Sequence, residues 1–183
     1  GFKFLYSPVV CDEEREKLSE RKKVVFFCGS KSDYRSIRER FLNTLEASRI
    51  GDHLLDLSDK NLTYSQYRTS LRTSLIALSF PDSVDCDQLK ARVFEITASG
   101  ALLLERKNNQ TPAFFRDGEE YLSFRDETDL AQIIDDVFLN QEKYERLALA
   151  GFKRATELCN PDTFWDGILS SITKDPVAEI HTK

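Results

Sequence analysis

Methionine is absent from this chain of 183 residues, which begins at Gly1. That start predicts a piece cut from a longer protein, with Gly1 left over from its production. Histidine occurs only at His53 and His181, and the cysteines are scattered at 11, 28, 86 and 159 with no C-x-x-C pair. Zinc needs His and Cys ligands close together, so no metal site is expected. Scattered free thiols fit a reducing, cytoplasmic location. Long apolar runs are also missing. None approaches the roughly 20 residues that cross a bilayer, and no basic–apolar–small leader opens the sequence, so no membrane span is expected. Basic charge is in deficit: 26 Lys and Arg against 31 Asp and Glu leave a net −5. A nucleic-acid partner needs a basic surface, and none is expected. The G-x-x-x-x-G-K-S/T and G-x-G-x-x-G spacings do not occur either, which excludes a P-loop and a dinucleotide fingerprint.

What is present alternates between two periods. VVFFC at 24–28 is β-branched and aromatic throughout, as in a strand buried on both faces of a parallel sheet. Gly29 and Ser30 close it. Ile37, Phe41, Leu42 and Leu45 then give a helical stripe across 34–49. HLLDL at 53–57 is a second strand, and 64–71 a short helix with Thr63 as its N-cap. SLIALSF at 74–80 is a third strand, ended by Pro81. A helix from Gln88, a strand at 101–104, a loop over 105–118 and a strand at 121–124 follow. Helices are expected at 129–139, 141–158 and 163–172. Strands alternating with helices predict an α/β fold: a Rossmann-like open parallel sheet with helices on both faces. The expected organisation is an N-terminal segment and charged linker over 1–23, one domain over 24–174 and a polar tail over 175–183.

Open parallel sheets bind ligands beyond the carboxyl ends of their strands. That rule selects the loops 29–33, 80–87 and 105–118. It also draws attention to the helix from Gln88. Leu89, Val93 and Ile96 mark its apolar stripe, while Gln88, Arg92, Glu95 and Ser99 follow at i, i+4, i+7 and i+11 on another face. Gly100 can close it in a left-handed turn. On spacing alone, Arg92 and Glu95 read as a solvated surface ion pair. Lys90 falls near the apolar side, which suits a group reaching past the sheet edge more than a surface lysine. Gly29 lets a ligand approach backbone at a helix start, though a plain βα turn has the same text.

The segment KARVFEITASGALLL, from Lys90 to Leu104, resembles the donor-binding segment of two-Rossmann-domain (GT-B) glycosyltransferases of the group 1 type. It is most similar to the spore-maturation-protein-like branch. FFRDGEEYLSFRDETDLAQII also resembles that family's strand–Asp–helix continuation, and the likeness runs over roughly 24–169. The resemblance implies that Glu95 meets the ribose of a nucleotide-sugar donor, and that the Gly29–Ser30 loop lies beside its diphosphate. Lys31 and Arg35 are nearby cations between which the text does not choose. Asp87 stands eight positions before Glu95, where many retaining relatives carry a first glutamate. One methylene shorter, and without the usual Gly-Phe-Gly text before it, Asp87 reads as an N-cap. NPDTFW replaces a His/Thr text, and its Trp165 reads as core.

The donor-binding set expected from this resemblance is Gly29, Ser30, Lys90, Arg92, Glu95 and Ser99. No D-x-D pair is present, so neither a divalent cation nor any cofactor beyond the nucleotide-diphosphate sugar is implied. The implied partners are the nucleotide sugar and an N-terminal acceptor-binding domain of the same polypeptide. The implied activity is metal-independent sugar transfer to an acceptor hydroxyl, for which the isolated chain is expected to be incomplete. The competing reading is a non-catalytic Rossmann-like module for nucleotide binding or interaction. A phosphoacceptor or flavodoxin-like signalling domain is disfavoured, because the first strand ends in Cys-Gly-Ser without an acidic cluster.

Overall fold

A computed structural model of the chain describes residues 15–30, 36–58, 60–82, 87–162, 165–166 and 169–170. The expectations placed on Cys11, Lys31, Arg35, Cys86 and the polar tail lie outside the described residues.

Five parallel strands form one sheet in the order β2-β1-β3-β4-β5. They are β1 (Lys22–Phe27), β2 (Leu54–Asp56), β3 (Ser74–Ser79), β4 (Leu102–Arg106) and β5 (Leu122–Phe124). The helices are α1 (Ser36–Glu46), α2 (Tyr64–Thr73), α3 (Ala91–Ala98), α4 (Glu127–Leu139) and α5 (Gln141–Leu158). β1 is interior, paired with β2 through Phe26↔Leu55 and with β3 through Phe26↔Ala77. Alternation along β1 splits its side chains between two cores. Val25 and Phe27 join Phe41, Leu42 and Leu45 of α1 and Leu130, Ile134 and Val137 of α4. Phe26 joins Leu71 of α2, Val93, Phe94 and Ile96 of α3, and Ala155 of α5. Helices therefore cover both faces, as right-handed crossovers from a parallel sheet require. None of the described helices is long and apolar enough to cross a membrane.

The local signals hold at several boundaries. Thr63 caps α2 through its side chain, accepting from the Gln66 amide at 3.2 Å, with Gln66 returning the bond. Gly100 adopts a left-handed φ of +76° between α3 and β4, a conformation costly to any residue with a Cβ. The charged stretch expected as linker differs. Residues 18–20 form a 3₁₀ turn whose Leu18 is fully buried, and Lys22 and Lys23 already belong to β1. Arg15 pairs with Glu145 of α5, so the end of this stretch is tied to the domain body. Trp165 is 56 % exposed rather than core.

α3 begins three residues later than its periodicity predicts. Asp82 and Asp87 form an antiparallel bridge, and the Gln88 amide donates to the Pro81 carbonyl at 2.8 Å. That pairing holds 87–90 extended, so Lys90 rather than Asp87 is the N-cap, and it caps without a side-chain bond. Gln88 is thereby removed from the helical stripe.

Candidate functional site

All five strands run the same way, so their carboxyl ends share one edge. The chain leaves β1 for α1 on one face and β3 for α3 on the other. A crevice forms beyond the strand ends at such a reversal, between β1 and β3 here. Gly29 follows β1 at this point, Phe80 and Pro81 follow β3, and the first turns of α3 stand above them.

Gly29 is where two guanidinium groups converge. A Cβ built on it would lie 2.9 Å from Arg92 Nη1, 2.9 Å from Phe27 Cζ and 3.4 Å from Arg38 Nη1. Arg92 reaches over the Phe27 ring from α3, 5.7 Å from its centroid. Arg38 comes from α1 and lies 5.6 Å from the Phe27 centroid and 5.7 Å from that of Phe80. It is 2 % exposed, and its guanidinium donates to the Ser30 carbonyl at 2.9 Å and the Phe80 carbonyl at 3.4 Å. The aromatic faces help to hold the cations, and the bonds from Arg38 set the backbone of the β1 loop. Two like charges at close quarters repel, and an anion between them relieves that cost. The Nε of Arg92 is buried without a hydrogen-bond partner.

Glu95 lies one turn further along α3. Its Oε2 accepts a hydrogen bond of 2.7 Å from the Tyr67 hydroxyl of α2. Burial and the neighbouring Glu95 charge raise the Tyr67 phenol well above its ordinary range, with Arg92 opposing. Cys28, at the end of β1, is half-buried. Burial pushes its thiol up, against Arg92 and with Asp56 and Glu95. Both groups thus feel the charges of Arg92 and Glu95.

A buried carboxyl stands at the end of β4. Glu105 is 0 % exposed, its Oε1 accepting from Ser79 Oγ at 3.1 Å. Burial raises it above its ordinary value of 4.5, partly offset by Thr111, Asn108 and Ser79. The folded chain therefore holds this proton more tightly than the unfolded chain. The stability it contributes is complete below 4.5 and is lost as pH rises through the raised folded value. Glu105→Gln, uncharged throughout, should show a flatter dependence of stability on pH. Urea midpoints for both proteins from about pH 4 to about pH 9 test this, and parallel curves would contradict it.

Of the residues singled out by sequence, Arg92 comes against Gly29, Glu95 stands one turn further along the same helix, and Ser30 sits in the Gly29 loop. Lys90 caps α3 beside them, its Nζ donating to Gln88 Oε1 at 2.8 Å. Ser99 is set apart. It is the C-cap of α3, at the amino edge of the sheet, with its Oγ donating to the Ile96 carbonyl at 2.7 Å. Seven residues of helix carry it about 10 Å along the axis from Arg92. Asp87 faces Arg106 at 3.7 Å, and Arg106 in turn binds Asp82 at 2.5 Å.

A family model described as glycosyl transferase-like matches residues 35–169. The chain belongs to that family. No curated protein matches it by sequence. Among solved structures, an α-glucosyltransferase in complex with UDP-glucose and DNA containing an abasic site superposes with a TM-score of 0.65. The identity is 11 %, over 88 % of this chain and 55 % of that one. Anabaena HepE in complex with UDP and glucose gives 0.63 at 10 % identity, over 83 % of this chain and 41 % of that one. The C-terminal domain of a group 1 family glycosyl transferase, LpcC from Francisella tularensis, gives 0.57 at 11 % identity, over 84 % of this chain and 95 % of that one. At these identities the likeness is one of fold. The glycosyl transferase-like chain thus spans less than half of HepE and nearly all of the LpcC domain.

Two residues at this candidate site were not singled out by sequence. Arg38 carries a signal: with Phe41, Leu42 and Leu45 it completes i, i+3, i+4 and i+7, so an arginine occupies the apolar stripe of α1. Tyr67 precedes the buried Leu71 by one helical turn, which marks a phenol on the inner face of α2.

Proposed function

We propose that this chain is the donor-binding half of a two-domain glycosyltransferase that transfers a sugar from a nucleotide-diphosphate sugar to an acceptor hydroxyl. The observation that carries the reading is the approach of Arg92 to Gly29 at the reversal point of the sheet, with Glu95 one turn further along α3. Gly29 offers close backbone approach, Arg92 a forked cation for phosphate, and Glu95 an acceptor for hydroxyl groups. The likeness to enzymes solved with UDP or UDP-glucose supports a nucleotide sugar as the ligand. Coverage of about half of those enzymes supports a missing acceptor-binding domain, joined to this one in the same polypeptide. Lys90 and Ser30 would line the same donor. Ser99 is not proposed for it. No cofactor beyond the donor enters the reading, and scattered cysteines without a C-x-x-C pair fit a cytoplasmic setting.

In the reaction, a bond forms between the acceptor oxygen and the anomeric carbon as the bond from that carbon to the diphosphate oxygen breaks. Negative charge grows on the leaving diphosphate. Arg92, with Arg38 behind it, would offset that charge as a preorganised cationic site. A base for the acceptor proton would come from the other domain.

UDP titration by calorimetry tests the reading. The wild-type chain should bind, and Glu95→Ala should bind about ten- to a hundredfold more weakly, the loss of roughly 1.5–3 kcal/mol for a charged acceptor. Circular dichroism should show the fold intact. No UDP binding at millimolar ligand, or unchanged affinity in the variant, would overturn it.

A further inference from the structure

We propose that Tyr67 is a positioning residue for ribose recognition, holding the Glu95 carboxylate in place from a neighbouring helix. The inference rests on the donor-site reading above and deepens it. Glu95 is on α3 and Tyr67 on α2, 28 residues earlier, so their contact is made by the fold and not by helical spacing. The Tyr67 hydroxyl donates to Oε2 at 2.7 Å. Its ring packs at 6.0 Å from Phe26, which anchors the phenol against the sheet. Ring and hydroxyl thus fix the carboxylate from its side. Burial and the Glu95 charge hold the phenol in its protonated, donating form.

The chemistry of the pair explains what this achieves. A glutamate on a helix has three rotatable bonds, and unrestrained it loses rotamer freedom when it binds. A fixed donor on Oε2 removes most of that cost beforehand. It leaves Oε1 and the remaining lone pairs for ligand hydroxyls. Tyr67 therefore acts on the ligand through Glu95. Its removal should impair binding of a sugar with hydroxyls and leave one without them unaffected.

The test compares UDP with 2′,3′-dideoxy-UDP by calorimetry, on the wild type, Tyr67→Phe, Glu95→Ala and the double variant. The wild type should prefer UDP by about tenfold or more, as expected for hydroxyl groups on a carboxylate. Tyr67→Phe keeps the ring and its packing. It should weaken UDP by about two- to tenfold, the size of one net hydrogen bond, with dideoxy-UDP unchanged. In the Glu95→Ala background the same substitution should have no further effect. Equal weakening of both ligands, an undiminished preference in Tyr67→Phe, or additive losses in the double variant would overturn the proposal while leaving the donor site standing. Absence of any UDP preference in the wild type would instead overturn ribose recognition by Glu95, and the role of Tyr67 with it.

Discussion

Arg92→Ala is expected to weaken UDP binding by roughly 30- to 1,000-fold while changing uridine binding by less than about threefold. The asymmetry follows from where Arg92 lies. Its guanidinium reaches the Gly29 backbone over the Phe27 ring, at the switch point where a diphosphate would sit. A forked donor can give two charge-assisted bonds to phosphate. Each is worth about 1.5–3 kcal/mol, and since paired bonds do not add fully, about 2–4 kcal/mol is at stake. The lost contact with Phe27 should cost little, because Arg92 is only half-buried. Arg92→Lys should recover part of the affinity, since a point charge replaces the fork. Titration of each variant with both ligands measures the effect. Equal losses for nucleoside and diphosphate would show that Arg92 does not meet phosphate.

Arg21→Ala is expected to destabilise the domain by about 3–5 kcal/mol. Arg21 is 6 % exposed, and its guanidinium donates to the carbonyls of Leu71 at 3.0 Å, Ser74 at 3.3 Å and Ser99 at 2.6 Å. These carbonyls close α2 and α3, so one cation meets the negative ends of two helix dipoles. The groups also join the start of β1 to the α2–β3 and α3–β4 junctions. Alanine would leave buried carbonyls without donors and open a void. Gly100 belongs to the same assembly. A Cβ there would lie 2.5 Å from Arg15 Cγ and 3.0 Å from Arg21 Nη2, so its lack of a side chain makes room for both arginines. Set against the roughly 5–15 kcal/mol that holds a typical domain folded, the loss is large. Chemical denaturation of both proteins measures it. A difference below about 1 kcal/mol would show that water or other donors satisfy those carbonyls equally well.

Much of this architecture is legible because local and tertiary signals agree. α5 runs from Gln141 to Leu158, as its apolar spacing predicts, because its buried Tyr144, Ala148, Gly151 and Ala155 keep one helical stripe. β3 takes up Ser74–Ser79 of the expected third strand, and all six of its residues are buried. Gly29, Arg92 and Glu95 could be selected because the strand-end rule and the family-like segment point to one place. Other features depend on contacts between distant segments, which spacing does not record. The start of α3 moved because Pro81 and Asp82 pair with Gln88 and Asp87. That pairing deprived Asp87 of its capping role. Ser99 looked equivalent to Arg92 on a continuous stripe, but a helix of eight residues has two ends, and only one faces the crevice. Tyr67 joined the site across 28 residues of chain.

The most direct test of the account is where a nucleoside diphosphate binds. Backbone amide shifts of the isotopically labelled chain, followed during UDP titration, should move first and most at Gly29, Ser30, Arg92 and Glu95, with Ser99 and the α4 residues little affected. Saturable shifts confined to another surface, or none at millimolar UDP, would contradict a donor site at the β1–β3 reversal.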